Sequence, residues 1–232
     1  MPPIKLKDAR ILITNDDGYF ADGLKLLKEI AEQYSNDVWV VAPEVEKSGA
    51  SHALTFKGEM KLKMHNEKFF SLDGTPSDCV AIGLDRVLTE ARPDLILSGI
   101  NSGCNLGEDV TYSGTIAAAM EGIIRKIPSI AISQNYESGK KNEIVWGKPP
   151  SDNISLEDCE KVSRHVSKVL DTVDAYFGRH GMDKANSFNS SLEPITKYEP
   201  SSNVQIGNAN PQNLFFEIIQ SPILSNHSCS LS

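Results

Sequence analysis

Four short apolar runs, Ile11 to Thr14, Val38 to Ala42, Asp94 to Ser98 and Ser129 to Ser133, recur in this chain with no clean polar alternation inside them. A strand that lacks alternation is one buried on both faces, as in a parallel sheet covered by helices on each side. Between the runs lie helical patterns at three-to-four spacing: Leu24, Leu27, Ile30, Ala31 and Tyr34 in the first, then Val80, Leu84, Val87 and Leu88. Strand alternating with helix implies right-handed crossovers and a parallel sheet, so the fold class is α/β. The second helix has a well-specified start. Thr75 can cap it, Pro76 suits the first helical position and Asp78 can close a capping box. A longer helix is expected from Ser155, with Val162, Val166, Val169, Leu170 and Val173 along the face that packs on the sheet.

Two segments break this rhythm. Leu54, Phe56, Met60, Leu62 and Met64 fall on alternate positions before His65-Asn66 and Phe69-Phe70, which reads as a β-hairpin arm over about residues 52–72. From Ser187 to Ser232 only four of 46 residues are charged, against 50 in the preceding 186, and Ser, Asn and Pro accumulate. That composition marks a divergent C-terminal tail of irregular chain, with one strand expected over Asn213 to Gln220. The organisation is one α/β domain over 1–186, the arm included, followed by the tail at 187–232.

Bulk properties exclude several function classes. A chain of 232 residues with a formal charge of −8 lacks the basic face a nucleic-acid backbone binder needs, so no nucleic-acid polymer is expected as main partner. No apolar run is long enough to cross a bilayer, and the charged start from Met1 to Arg10 leads directly into a strand. The expectation is no membrane and a cytoplasmic location. Cysteines at 79, 104, 159 and 229 make no C-x-x-C pair, and the five histidines show no zinc-ligand spacing. A disulfide framework and a zinc hydrolase are disfavoured.

The chemistry concentrates where strands end. Asn15-Asp16-Asp17-Gly18 follows the first run directly, so two like charges sit side by side at the carboxyl edge of a parallel sheet, where such sheets bind ligands. A shared divalent cation is the usual compensation. The plainer alternative is that Asp17 caps the following helix. After the third run comes Ser98-Gly99-Ile100-Asn101-Ser102-Gly103-Cys104-Asn105-Leu106-Gly107, whose Asn carbonyls suit a hard cation and whose glycines admit an anion to backbone N–H groups. A plain surface turn is the alternative. Ser113-Gly114-Thr115 opens a strongly helical run, a phosphate site or an ordinary cap. In the loop after the second run, Ser48 offers a hydroxyl, and Lys47 and His52 offer groups for an anionic substrate. Each of these three is also read as a solvated loop residue.

Five segments in this order resemble the SurE survival-protein family of metal-dependent nucleotidases: Ile13 to Gly18, Val41-Ala42-Pro43 with Ser48, Asp73 to Val80, Ser98 to Asn101 with Gly103 and Asn105, and Tyr112 through Gly122. The resemblance runs from about Arg10 to Ser133, and the chain departs from the family pattern after about Arg179. It implies a Rossmann-like three-layer α/β/α sandwich with an added β-hairpin arm. It implies one Mg²⁺ or Mn²⁺ per subunit on Asp16, Asp17, Ser48 and Asn101; of these, Asp16, as proton acceptor, and Asn101 are read here as catalytic. It also implies a phosphate pocket at Asn105, Ser113, Gly114 and Thr115, nucleoside 5′- and 3′-monophosphates as substrates, and a homodimer or tetramer. A catalytically impaired nucleotide-binding or scaffold protein of the same fold is the alternative, on account of the altered C-terminus. A receiver-type signalling domain is disfavoured, since no phospho-accepting Asp ends a central strand: the second run ends at Pro43 and Asp94 precedes its own.

Overall fold

The structure, a computed structural model, describes residues 5–105, 107–136, 156–180 and 216–223. The strands are β1 (Arg10–Thr14), β2 (Asp37–Pro43), β3 (Leu62–Asn66), β4 (Phe69–Leu72), β5 (Leu95–Ser102), β6 (Ser129–Tyr136) and β7 (Phe216–Ile223). They form one sheet in the order β3-β4-β2-β1-β5-β6-β7. Every pairing is parallel except the β3–β4 hairpin. From β1 the chain builds outward through β2 and β4, then crosses back to lay β5 on the other side of β1. The crevice between the carboxyl ends of β1 and β5 is therefore the point where the winding reverses, the place where open α/β sheets take their ligands.

Residue parity along the strands sorts the core into two layers. Ile11, Ile13, Val38, Val40, Ala42, Leu95, Leu97, Ile130 and Ile132 pack against α1 (Asp22–Tyr34) and α4 (Leu156–His180). Leu12, Val41 and Ile96 face the other way, onto Cys79 and Val80 of α2 (Pro76–Ile82) and Ala118 of α3 (Gly114–Ile124). Ala131 meets Ile116, Ala119 and Ile123 of α3. This is the three-layer α/β/α sandwich expected, and both faces of the central strands are dry, which is why their sequences carry no alternation.

Local expectations are met in part. α2 starts with Thr75 as its cap, Pro76 in its first turn and a reciprocal capping box with Asp78. Leu24, Leu27, Ile30 and Ala31 of α1 are buried, as are Val162, Val166, Leu170 and Val173 of α4. The expected arm over 52–72 narrows to β3 and β4: Leu54, Phe56 and Met60 lie outside any strand. The reason is visible at Thr55, whose N–H and hydroxyl go to the two Asp78 carboxylate oxygens at 2.9 and 2.7 Å instead of to a strand ladder. β5 runs four residues beyond the expected Ser98, through Asn101 to Ser102, with a register shift against β6 between Ser98 and Asn101. A Cβ on Gly99, at φ +139°, would stand 2.4 Å from the Ile132 carbonyl oxygen, so only glycine permits this passage. β7 pairs with β6 and is shifted three residues toward the C-terminus from the strand expected over Asn213 to Gln220; residues 187–215 and 224–232 lie outside the described residues.

At the opposite end of the sheet, Asp37 holds the starts of β1 and β2 together. Its Oδ2 accepts from Arg10 Nε at 2.6 Å, and its Oδ1 accepts from Lys68 Nζ and Trp39 Nε1 at 2.8 and 2.7 Å. Burial alone would raise this carboxyl, but the donors from Lys68, Arg10 and Trp39 prevail and hold it at about 2. A depressed folded-state pKa contributes stability above the ordinary carboxylate value, and that contribution is lost as pH falls through about 2. Asp37→Asn should therefore lower stability at pH 7 by about 1 kcal/mol. In urea titrations across a pH series, its difference from wild type should hold steady down to about pH 4 and shrink below that.

Candidate active site

Two carboxylates follow the end of β1, and three other segments come to meet them. The Asp16 carbonyl accepts the Lys47 N–H at 2.7 Å, which draws in the loop after β2. Asp17 Oδ2 accepts the Ser102 N–H at 2.8 Å, which fixes it to the end of β5. Asp16 Oδ1 accepts from Thr115 Oγ1 at 2.5 Å, and the Thr115 backbone N–H adds a second bond to Asp16. The first turn of α3 is thereby aimed at the Asp16 side chain. Asp17 is not the cap of α1, because that helix begins at Asp22 with Ala21 at its N-cap and no side-chain capping bond.

The start of α3 is built for close approach. Ser113 is its N-cap and accepts from the Ile116 N–H at 3.2 Å, so its hydroxyl does the ordinary capping work considered from sequence. A Cβ on Gly114 would lie 2.9 Å from Asp16 Cβ and 3.0 Å from Pro76 Cγ, so glycine lets this helix start and that of α2 close around Asp16. Ser113, Gly114 and Thr115 are all buried. The positive end of the helix dipole at this first turn favours an anion.

On the β5 side, the Asn101 Nδ2 donates to the Gly103 carbonyl at 2.8 Å, which leaves its Oδ1 as the acceptor end of the amide. Asn105 Nδ2 donates to Ser133 Oγ at 2.6 Å. Asn101 and Ser133 are register partners across β5 and β6, so one pair of neighbouring strands carries both asparagines' anchorage. Ser133 and Ser102 were not singled out from sequence, and Lys47, read there as a side chain for an anionic substrate, meets Asp16 through its backbone N–H instead. Ser102 and Lys47 act through backbone N–H groups, which no residue type announces; Ser133 sits at the expected end of the fourth apolar run, and strand register alone would have pointed to it. Ser48 is not drawn onto the carboxylates: its hydroxyl donates to Glu46 Oε1 at 2.8 Å and the residue is exposed, although its neighbour Lys47 is tied to Asp16.

The electrostatics around Asp16 favour a cation. Burial, and next the charge of Asp17, push the Asp16 carboxyl up to about 6, while the Thr115 hydrogen bonds offset only part of that rise. Close by, Asn15 Oδ1 and Ser98 Oγ are buried without a hydrogen-bond partner. Asp16, Asp17, Asn101 and Ser48 are hard oxygen donors, the set that suits Mg²⁺ or Mn²⁺ rather than a thiophilic metal. The residues present thus fit a divalent cation.

This is an α/β sandwich with acidic and amide groups, and a facing helix start, at the switch point where open α/β sheets take their ligands. The description "Survival protein SurE" matches residues 11–211, and the chain belongs to that family. It is 49% identical to the 5'-nucleotidase SurE of Methylobacterium radiotolerans, over 70% of this chain and 61% of that protein. It is 54% identical to the protein of the same name from Methylorubrum populi, over 59% of this chain and 54% of its relative. Among solved structures, the SurE protein of Aquifex aeolicus superimposes with a TM-score of 0.59 at 40% identity, covering 72% of this chain and 60% of that one. The chain thus spans between half and two thirds of the length of these relatives.

The raised Asp16 carboxyl has a consequence for stability in the absence of metal. A carboxyl whose folded-state pKa lies above its unfolded value costs nothing below about pH 4, and the cost grows as pH rises through about 6. Metal-free protein should accordingly lose stability between pH 4 and pH 7. Asp16→Asn, which can still accept from Thr115, should be more stable than wild type at pH 7.5 by about 1–3 kcal/mol. Thermal melts in chelator at both pH values check the sign.

Proposed function

We propose that this protein is a metal-dependent phosphomonoesterase that converts nucleoside 5′-monophosphates, and 3′-monophosphates, to nucleoside and phosphate. The observation that supports this most is the Asp16–Thr115 contact: a buried carboxylate that calls for a cation lies in hydrogen-bond contact with a helix start that calls for an anion. A phosphomonoester answers both demands. The names of the relatives in Methylobacterium and Methylorubrum agree with this reading.

In this reading Asp16, Asp17, Ser48 and Asn101 hold one Mg²⁺ or Mn²⁺ per subunit, and the ion supplies Lewis acidity at the phosphate and activation of the attacking water. Ser113, Gly114 and Thr115 bind the phosphate at the N-terminus of α3, where the dipole stabilises the extra charge of the transition state. Asn105 orients the same group through its carboxamide, held by Ser133. Water attacks phosphorus in line with the departing nucleoside oxygen. Asp16 takes the proton from that water, the P–O ester bond breaks, and the departing nucleoside oxygen takes up a proton from solvent, so that nucleoside and phosphate are released. Asn101 keeps the end of β5, and with it the Ser102 N–H on Asp17, in register.

The expected cytoplasmic location and homodimer or tetramer belong to the same proposal; among the described residues no helix is long and apolar enough to cross a membrane. So does the division into an α/β domain over 1–186 and a divergent tail, from which β7 adds one strand to the sheet.

A phosphate-release panel tests the function. AMP and other nucleoside monophosphates should be hydrolysed with Mg²⁺ or Mn²⁺ and not in chelator. Asp16→Asn should lower kcat by at least about a hundredfold while leaving the circular dichroism spectrum intact. Turnover in chelator, or AMP binding without turnover in every metal, would overturn the assignment.

A further inference from the structure

We propose that His52 is a positioning residue that straps the Ser48 loop across the site by locking it to α3; this rests on the metal-dependent reading above. The segment 47–52 is tied at both ends. At one end the Lys47 N–H donates to the Asp16 carbonyl at 2.7 Å. At the other, the Ser51 N–H donates to the Tyr112 carbonyl at 3.0 Å, and Ser51 Oγ donates to the Thr111 carbonyl at 2.7 Å. One residue further, His52 Nε2 lies 3.0 Å from Glu121 Oε2, two turns down the helix whose first turn holds Asp16. Ser48 is the residue suspended between these anchors.

Two features show that the second anchor is built rather than incidental. Ser51 has φ +53°, a left-handed conformation that a serine adopts only when its surroundings impose it. Glu121 is a buried carboxylate, 6% exposed at its side chain, and its other oxygen accepts from Arg125 Nε at 2.7 Å. Arg125 in turn lies 3.6 Å from Asp85. With Arg125 fixing one carboxylate oxygen, the other is presented to His52 at a fixed place, and the imidazole spans from loop to helix. The strap therefore inherits the position of α3, and Ser48 is held relative to the same helix that positions Thr115 on Asp16. The chemical role is support: His52 reaches the site through the loop that carries Ser48.

The test compares His52→Ala, His52→Gln and Arg125→Gln with wild type by two readouts. Amide hydrogen exchange over residues 44–55 of the metal-free protein reports the strap itself, and calorimetric titration with Mn²⁺ alone reports the site. His52→Ala should accelerate exchange in that loop and weaken Mn²⁺ binding by about tenfold. His52→Gln, whose carboxamide can still donate to Glu121, should stay within about threefold of wild type in affinity. Arg125→Gln leaves His52 in place but frees one Glu121 oxygen, so it should change exchange and Mn²⁺ affinity in the same direction as His52→Ala and by less. Unchanged exchange and affinity in His52→Ala would overturn the proposal, as would an equal loss of affinity in His52→Gln. Mn²⁺ binding by wild type with no hydrolysis of any monophosphate would instead overturn the nucleotidase reading and leave the strap standing.

Discussion

The structure depends on one buried carboxylate. Asp16 leaves the end of β1 with its side chain inside the protein, where an ionised group is costly unless something compensates it. The protein supplies only partial compensation: the hydroxyl and N–H of Thr115 lower the carboxyl, but burial and Asp17 raise it further. Much of the local architecture follows from bringing those partners in. Gly114 is there because a side chain would strike Asp16 and Pro76, and α3 begins where it does because its first turn must reach the end of β1.

The same geometry joins two opposite electrostatic preferences. A pair of adjacent carboxylates favours a cation, and the start of α3 favours an anion. Placed apart, each would be an unremarkable cap or turn. Placed in contact at the reversal point of the sheet, they suit, under the proposed function, a ligand carrying an oxyanion that can bridge to a cation. A phosphomonoester has that form, and so does the phosphate it releases.

How much of this could be read from the chain depends on what kind of interaction did the work. Periodicity exposed the layers well: Ile11, Ile13 and Leu12 divide between the two faces as doubly buried strands must, and the Thr75-Pro76-Asp78 start of α2 appears as its residue types dictate. Asp16, Asn105 and Thr115 stood out in the chain as carboxylate, amide and hydroxyl groups at strand and helix ends, and the structure bonds Thr115 to Asp16 and Asn105 to Ser133. Less legible were interactions that override local pattern. Leu54, Phe56 and Met60 alternate as a strand would, yet the capture of Thr55 by Asp78 takes the chain out of any ladder. β5 runs on past Ser98 because Gly99 can pass close to the Ile132 carbonyl, a long-range contact that composition does not reveal. Backbone donors such as those of Lys47 and Ser102 leave no trace in residue type at all.

The arrangement around Ser48 shows how a site can depend on a residue it does not itself hold. The Ser48 hydroxyl is engaged by Glu46, so the site cannot draw on this side chain for its own placement. Its loop is instead fixed by groups on either side: the Lys47 amide on Asp16, and Ser51 with His52 on the segment leading into α3 and on α3 itself. Under the proposed role of Ser48, the backbone on either side of it is already fixed before any cation arrives. Such a loop loses less conformational freedom when a ligand arrives, and a donor supplied in this way binds more tightly than the same residue on an untethered loop.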